Sequence, residues 1–176
     1  MKIQRGFIPL LVILSLAVGI VLPAASNAQI RISSATTTNK ALLNFTGKTV
    51  EGKNYNSKVL ANKKPSVIWF WAPWCAICRN ESAFIVAAAQ KYKGKVNFVG
   101  VGSLGSADEM KEFVDHTGTS IFTNLNDGAG KLWNRFGVVI QPTLVFVDTK
   151  GKISSKVGPS DELFLEKKIT TLLSGK

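Results

Sequence analysis

The chain has 176 residues, 45% hydrophobic and 19% charged, which excludes a collagen-like, low-complexity or polytopic membrane protein. Lys and Arg total 22 against 11 Asp and Glu, a formal net charge of +11, which favours acidic surfaces without making a nucleic-acid binder. Two cysteines and one histidine supply neither a multi-disulfide framework nor the four ligands of a structural zinc site, so a hydrophobic core must hold the fold.

Lys2 and Arg5 precede an apolar stretch from Phe7 to Leu22, which ends at Pro23 and the small residues Ala24 to Ala28. A basic start, a short apolar centre and Ser26-x-Ala28 read as a secretory signal over residues 1–28, cleaved after Ala28. The other reading is an uncleaved anchor from Gly6 to Ile30. Both place the remainder outside the cytoplasm: secreted, periplasmic or in the cell envelope. Gln29 to Lys40 is rich in Ser and Thr without apolar periodicity and reads as a flexible tether. Residues 41–176 are then one domain of ordinary size.

Within that domain, Ala41 to Phe45 and Thr49-Val50 predict a short hairpin around Gly47. Ser66 to Trp71 is a continuous apolar and aromatic run, suited to a strand buried on both faces. A helix follows at once from Cys75 to about Tyr92, stopped by Gly94. Lys95 to Val101 is the next strand. Ser106 and Glu109 form a capping box for a helix that ends before Gly118. Asp127 caps a short helix through Phe136. Thr143 to Val147 and Ile153 to Val157 form a hairpin turned at Gly151. Ser160 caps a last helix, with Leu163, Ile169 and Leu172 or Leu173 spaced for burial. The alternation gives an α/β fold, a mixed β-sheet with helices on its faces.

The chemistry sits at Trp74-Cys75-Ala76-Ile77-Cys78. Two cysteines three apart at a helix start put both sulfurs on one side, where free N–H groups and the helix dipole favour a thiolate at Cys75. Arg79, four residues after Cys75, adds to that bias. So short a ring stabilises a fold little, because disulfide stabilisation grows with loop length, and the pair reads as redox chemistry. A spare disulfide, or thiols from two chains sharing a zinc ion, are the bland alternatives. Cys78, one turn further in, is expected to be the more buried sulfur. Trp69, Phe70 and Trp71 read as core, Trp74 as an apolar rim where substrate docks, and His116 as a surface residue. Lys63-Lys64 and the other lysines read as a solvated face, with attraction to a membrane or polyanion as the second reading.

Phe70-Trp71-Ala72-Pro73-Trp74-Cys75-Ala76-Ile77-Cys78 resembles the thioredoxin-fold active site. Gln141-Pro142-Thr143 before a strand resembles the proline loop that faces the disulfide in that fold. Glu81 and the stretch Asn124 to Phe136 resemble features of the secreted TlpA/ResA/DsbE branch, and the whole is most similar to the secreted DsbE-like group of actinobacteria. The resemblance covers about Leu42 to Leu173. It implies a thioredoxin-like sheet with helices on both faces and a protein thiol–disulfide oxidoreductase. Cys75 and Cys78 would be the catalytic pair, with Glu81, Arg79 and Trp74 supporting, and Gln141 with a cis Pro142 docking substrate. Promotion of disulfide formation in secreted proteins is the leading expectation. The alternatives are a disulfide reductase of the cytochrome c maturation type and a redox-inactive binding module. Expected partners are secreted proteins with thiols or disulfides and a redox partner that resets the pair. No nucleic acid, metal or organic cofactor is called for, and a membrane only through an uncleaved N-terminal segment. Thioredoxins carry a buried aspartate six residues before the first cysteine. This chain has Trp69 there, which leaves Glu81 as the substitute proton carrier.

Overall fold

A computed structural model describes residues 41–61 and 63–175. The expected signal segment 1–28 and tether 29–40 lie outside the described residues, as do Asn62 and Lys176.

Strand β3, Ser66–Trp71, is buried at every position. A run with no polar side to turn outward needs cover on both faces. The strand runs parallel to β4, Asn97–Gly102, on one flank and antiparallel to β6, Thr143–Val147, on the other. The sheet is completed by β1, Thr46–Thr49, β2, Asn54–Asn56, β5, Thr123–Asn126, and β7, Ile153–Val157, in the order β2-β1-β5-β4-β3-β6-β7.

Four helices among the described residues supply the cover. Val67, Trp69 and Trp71 face α1, Ala76–Lys91, α2, Ala107–Thr117, and α4, Glu162–Ser174. Ile68 and Phe70 face the opposite core, built from α3, Lys131–Phe136, the 3-10 turn Ser57–Ala61 and the N-terminal strands. The sheet is therefore mixed with helices on both faces, as expected. In the first core Trp71 stacks on Phe113 of α2 with ring centroids 4.3 Å apart, and Trp69 lies 6.0 Å from both rings. Each such buried aromatic stabilises the fold by roughly 2–3 kcal/mol through removal from water.

The capping box of α2 forms as read, with Ser106 Oγ accepting the Glu109 N–H and Glu109 Oε2 accepting the Ser106 N–H. Asp127 also caps as read, although from upstream: its Oδ2 accepts the N–H groups of Leu132 and Trp133. Three expectations are corrected. The first hairpin is β1–β2, turned at Gly52 with φ 79°, and Gly47 lies inside β1. The apolar residues Leu42, Leu43 and Phe45 suggested a strand, but they precede β1: Phe45 is buried in the second core and Leu43 packs against it. The N-cap of α4 is Asp161, whose Oδ1 accepts the Phe164 N–H, in place of Ser160. Leu163, expected in the core, points outward at 79% exposure, because the buried face is the i, i+4, i+7 set Leu165, Ile169 and Leu172. Strand β5 was not anticipated, because Thr-Asn-Leu-Asn holds one apolar residue and no alternation to read.

Close packing beneath the sheet explains a glycine. A Cβ on Gly100 would meet the Asn124 side-chain oxygen and, at 2.8 Å, the Trp71 indole nitrogen, both on buried side chains. Gly100→Ala is therefore expected to destabilise the domain by about 1–3 kcal/mol, the usual cost of overpacking. Urea unfolding would read this as a lower midpoint at unchanged slope.

Candidate active site

Strand β3 ends at Trp71 and the chain turns through Ala72-Pro73-Trp74, closed by the Cys75 N–H on the Ala72 carbonyl at 3.1 Å. Cys75 is the N-cap of α1, and its sulfur accepts the backbone N–H of Cys78 at 3.1 Å. One of the unpaired donors at the helix start is thus aimed at this sulfur, with the positive end of the dipole behind it. Cys75 and Cys78 form a disulfide with Cα atoms 5.2 Å apart. Cys75 retains 5% exposure and Cys78 none, the order expected, although both count as buried.

Other site residues gather around this pair to different degrees. The Arg79 guanidinium donates to the Pro73 carbonyl at 3.3 Å and lies over the Phe113 ring at 5.3 Å, so it braces the turn before Cys75. Trp74 is 62% exposed, and its indole N–H donates to the Leu104 carbonyl at 2.8 Å. Leu104 holds that carbonyl in place with a left-handed φ of 60°, uncommon for a leucine. The Gln141–Pro142 peptide bond is cis. Thr143 pairs with Phe70 across the β3–β6 ladder, so the preceding Gln141 and Pro142 arrive at the end of β3 where α1 begins. Pro142 is buried, Gln141 half-buried, and the Pro142 carbonyl accepts the Gly158 N–H at 2.9 Å.

Glu81 lies one turn after Cys78 on the inner face of α1 and is only 3% exposed. Its Oε1 accepts the backbone N–H of Ser160 at 2.6 Å, and its Oε2 has no hydrogen-bond partner. Burial raises the Glu81 pKa above the ordinary carboxylate value, opposed by the Ser160 N–H, the Trp69 indole N–H and the Lys156 charge. The indole falls short of hydrogen-bond geometry to the free oxygen and still draws its charge. Trp69, in the place of the thioredoxin aspartate, is therefore a neighbour of the carboxyl group. Sequence reasoning missed the parts played by Ser160 and Lys156. The Ser160 contact spans 79 positions and uses a backbone group, which leaves no mark on residue identity.

Around the disulfide stands a ring of exposed apolar side chains: Trp74, Ile77, Leu104, Val139 at 91% exposure, and Ile140. His116 is at the surface, 3.7 Å from Glu112, away from this group.

Comparison with known proteins places these features in a family. The model of the AhpC/TSA family matches residues 38–156. Among curated proteins, the soluble secreted antigen MPT53 of Mycobacterium tuberculosis is 39% identical over 111 residues, 62% of this chain and 61% of that protein. The thiol:disulfide interchange protein HelX of Rhodobacter capsulatus is 32% identical over 118 residues, 66% of this chain and 65% of that protein. The chain thus spans a little under two thirds of the length of these relatives. Among solved structures, MTB dsbF superposes with a TM-score of 0.72 at 37% identity, covering 75% of this chain and 97% of that one. A secreted Mycobacterium tuberculosis disulfide oxidoreductase, described as homologous to E. coli DsbE, gives a TM-score of 0.70 at 31% identity, covering 76% and 99%.

The buried carboxyl generates a pH prediction. A raised folded-state pKa means that the native protein binds the Glu81 proton more tightly than the unfolded chain does. Its contribution to stability is full below the unfolded value, near 4.5, and is lost as pH rises through the folded value. Wild type should therefore lose stability relative to Glu81→Gln as pH rises through that window. Urea midpoints of both proteins across the acid to neutral range would show it, and parallel curves would mean that the carboxyl titrates normally.

Proposed function

Because the chain belongs to the AhpC/TSA family and shares the thioredoxin-like fold of these DsbE-like structures, we propose that it is an extracytoplasmic thiol–disulfide oxidoreductase that promotes disulfide formation in secreted proteins. One observation carries the reading: the Cys75–Cys78 pair opens a helix whose own Cys78 N–H is directed at the Cys75 sulfur. A thiolate held this way stabilises the reduced pair, which makes the disulfide the stronger oxidant.

In the proposed sequence a substrate thiolate attacks Cys75 Sγ. The Cys75–Cys78 bond breaks, and its electron pair leaves on Cys78. Glu81, buried one turn away and with its pKa raised, supplies the proton that Cys78 takes up. The second substrate thiol then attacks the substrate sulfur of the mixed disulfide and releases Cys75 as a thiolate. Two electrons have passed to the protein, and a redox partner must remove them. The Gln141–Pro142 backbone at the end of β3 offers an extended substrate segment a pairing edge. The apolar ring suits unfolded polypeptide over small polar thiols, because an exposed patch of this kind gains most by covering apolar side chains.

Cys75→Ser is expected to lower oxidation of a reduced substrate protein more than about a hundredfold. Cys78→Ser keeps a nucleophile that nothing resolves, so mixed disulfides with substrate proteins should accumulate on non-reducing gels. Trapping by the Cys75→Ser variant alone would reverse the two roles. Glu81→Gln should slow exchange and remove a carboxyl inflection from the pH–rate profile; an unchanged profile would leave Glu81 a purely structural part. Glutathione equilibration should give a reduction potential on the oxidising side, between about −180 and −120 mV, while a value near −270 mV would assign the pair to a reductase.

A further inference from the structure

The lysines that look scattered in the sequence are gathered by the topology. Lys63 and Lys64 immediately precede β3, Lys95 precedes β4, and Lys150 and Lys152 lie in the β6–β7 turn. Strands β3 and β4 run parallel while β6 runs against them, so all five stand at one edge of the sheet. It is the edge opposite the one at which α1 opens with Cys75. The Asn97 N–H on the Pro65 carbonyl, 2.9 Å, ties the starts of β3 and β4 together. Lys58 joins them across a groove of about 450 Å³ that it shares with Lys63, Lys64 and Lys150. All six of these lysines are exposed.

Asp148 is the one carboxylate among the described residues lining this groove and the adjoining one, and its Oδ1 is occupied by the N–H groups of Lys150 and Lys152. Glu166 is held by Lys91 and Tyr92. Complementing helix dipoles does not account for the pattern either, since Lys63, Lys64, Lys150 and Lys152 are not in the last turn of any α-helix. At the opposite edge the loops and helix starts carry Asp108, Glu109, Asp127, Asp161 and Glu162. Arg79, Lys131 and Lys156 are interspersed with them, so the disulfide end is of mixed charge while the lysines cluster at the other.

We propose that the lysine pole is a docking surface for the anionic headgroups of a lipid bilayer, which leaves the disulfide end facing away from the membrane. Attraction of several exposed lysines to a negative surface is additive and short-ranged, so a flat lipid surface that engages all six at once is the partner that uses them best. The groove between the lysines has an apolar floor of Leu43, Leu60 and Val147, which fits an amphiphile better than a purely polar polyanion. The inference does not depend on the direction of the redox reaction.

Co-sedimentation of the full chain with vesicles tests it. Phosphatidylcholine vesicles with about 30% phosphatidylglycerol are compared with phosphatidylcholine alone, at about 0.05 M and about 0.5 M NaCl. Wild type should bind the anionic vesicles at least about tenfold more tightly at low salt, and the preference should vanish at high salt. Lys63→Glu/Lys64→Glu/Lys150→Glu/Lys152→Glu should lose the preference. Lys48→Glu/Lys53→Glu/Lys111→Glu/Lys131→Glu, with the same change of net charge, should keep it. Equal binding to both vesicles, or equal loss in both variants, would overturn the proposal. So would a preference for soluble polyphosphate over anionic vesicles, which would reassign the pole to soluble polyanions. On bound vesicles, reduction of the disulfide by dithiothreitol should stay within about twofold of its rate in solution. A slowing of about tenfold or more would put the disulfide against the lipid and overturn the orientation.

Discussion

The structure depends on one constraint: a six-residue strand with no polar face. Ser66 to Trp71 has to be covered on both sides, which commits the chain to helices above and below the sheet and places β3 in its interior, between β4 and β6. The strand then ends against the start of a helix, and the two-residue turn Pro73-Trp74 leaves Cys75 as N-cap with its sulfur in line with the helix donors. Burial creates the electrostatics here. The aromatic side chains that make β3 unsuited to an edge also exclude water from the inner side of the disulfide, where Cys78 and Glu81 lie. In such surroundings a proton is worth more than a charge, and the raised Glu81 pKa is the visible result.

The exchange of a buried carboxylate for Trp69 changes how the inner side of the site is held. An indole cannot accept a proton from a thiol, but its N–H supports a neighbouring carboxylate. Glu81 reaches the same volume from α1 and is fixed at its other oxygen by the Ser160 backbone, just before α4. The site therefore draws on a strand, the helix directly after it, and the distant loop before the last helix. Asp161 caps α4, which leaves the N–H of Ser160 free to be used by Glu81. Had Ser160 been the cap, the first turn would have been wound one residue earlier.

What the sequence made legible follows the range of the interactions. Cys75-x-x-Cys78, the apolar run before it, the Ser106–Glu109 box and the 143–157 hairpin are local patterns, and each appears in the structure. Strand β5 escaped because its stability comes from pairing with β4 and β1, with Leu125 alone supplying a large apolar group to the core. The first hairpin was displaced because Leu43 and Phe45 look like strand residues but belong to the packing of the second core. Leu163 was misassigned because it lies six residues before Ile169, off the i, i+4, i+7 face on which Leu165, Ile169 and Leu172 are buried. In the site, the cysteines, Trp74 and Pro142 were readable from a motif. Ser160, Lys156 and the Leu104 carbonyl were not, since two act through the backbone and the third through charge.

The two edges of the sheet carry different chemistry for a topological reason. Strands β3, β4 and β5 all run toward the disulfide end, so α1, α2 and α3 begin there and bring their unpaired N–H groups with them. Acidic caps such as Glu109, Asp127 and Asp161 are stabilised at that edge, and so is a cysteine thiolate. The other edge holds helix ends and strand starts, where a cation meets carbonyl groups, and it is there that Lys63, Lys64, Lys95, Lys150 and Lys152 gather. The exposed apolar side chains Trp74, Ile77, Leu104, Val139 and Ile140 belong to segments at the disulfide end. One strand direction thus separates a face suited to polypeptide from a face suited to anionic surfaces, and the distance between them is the length of the central strand.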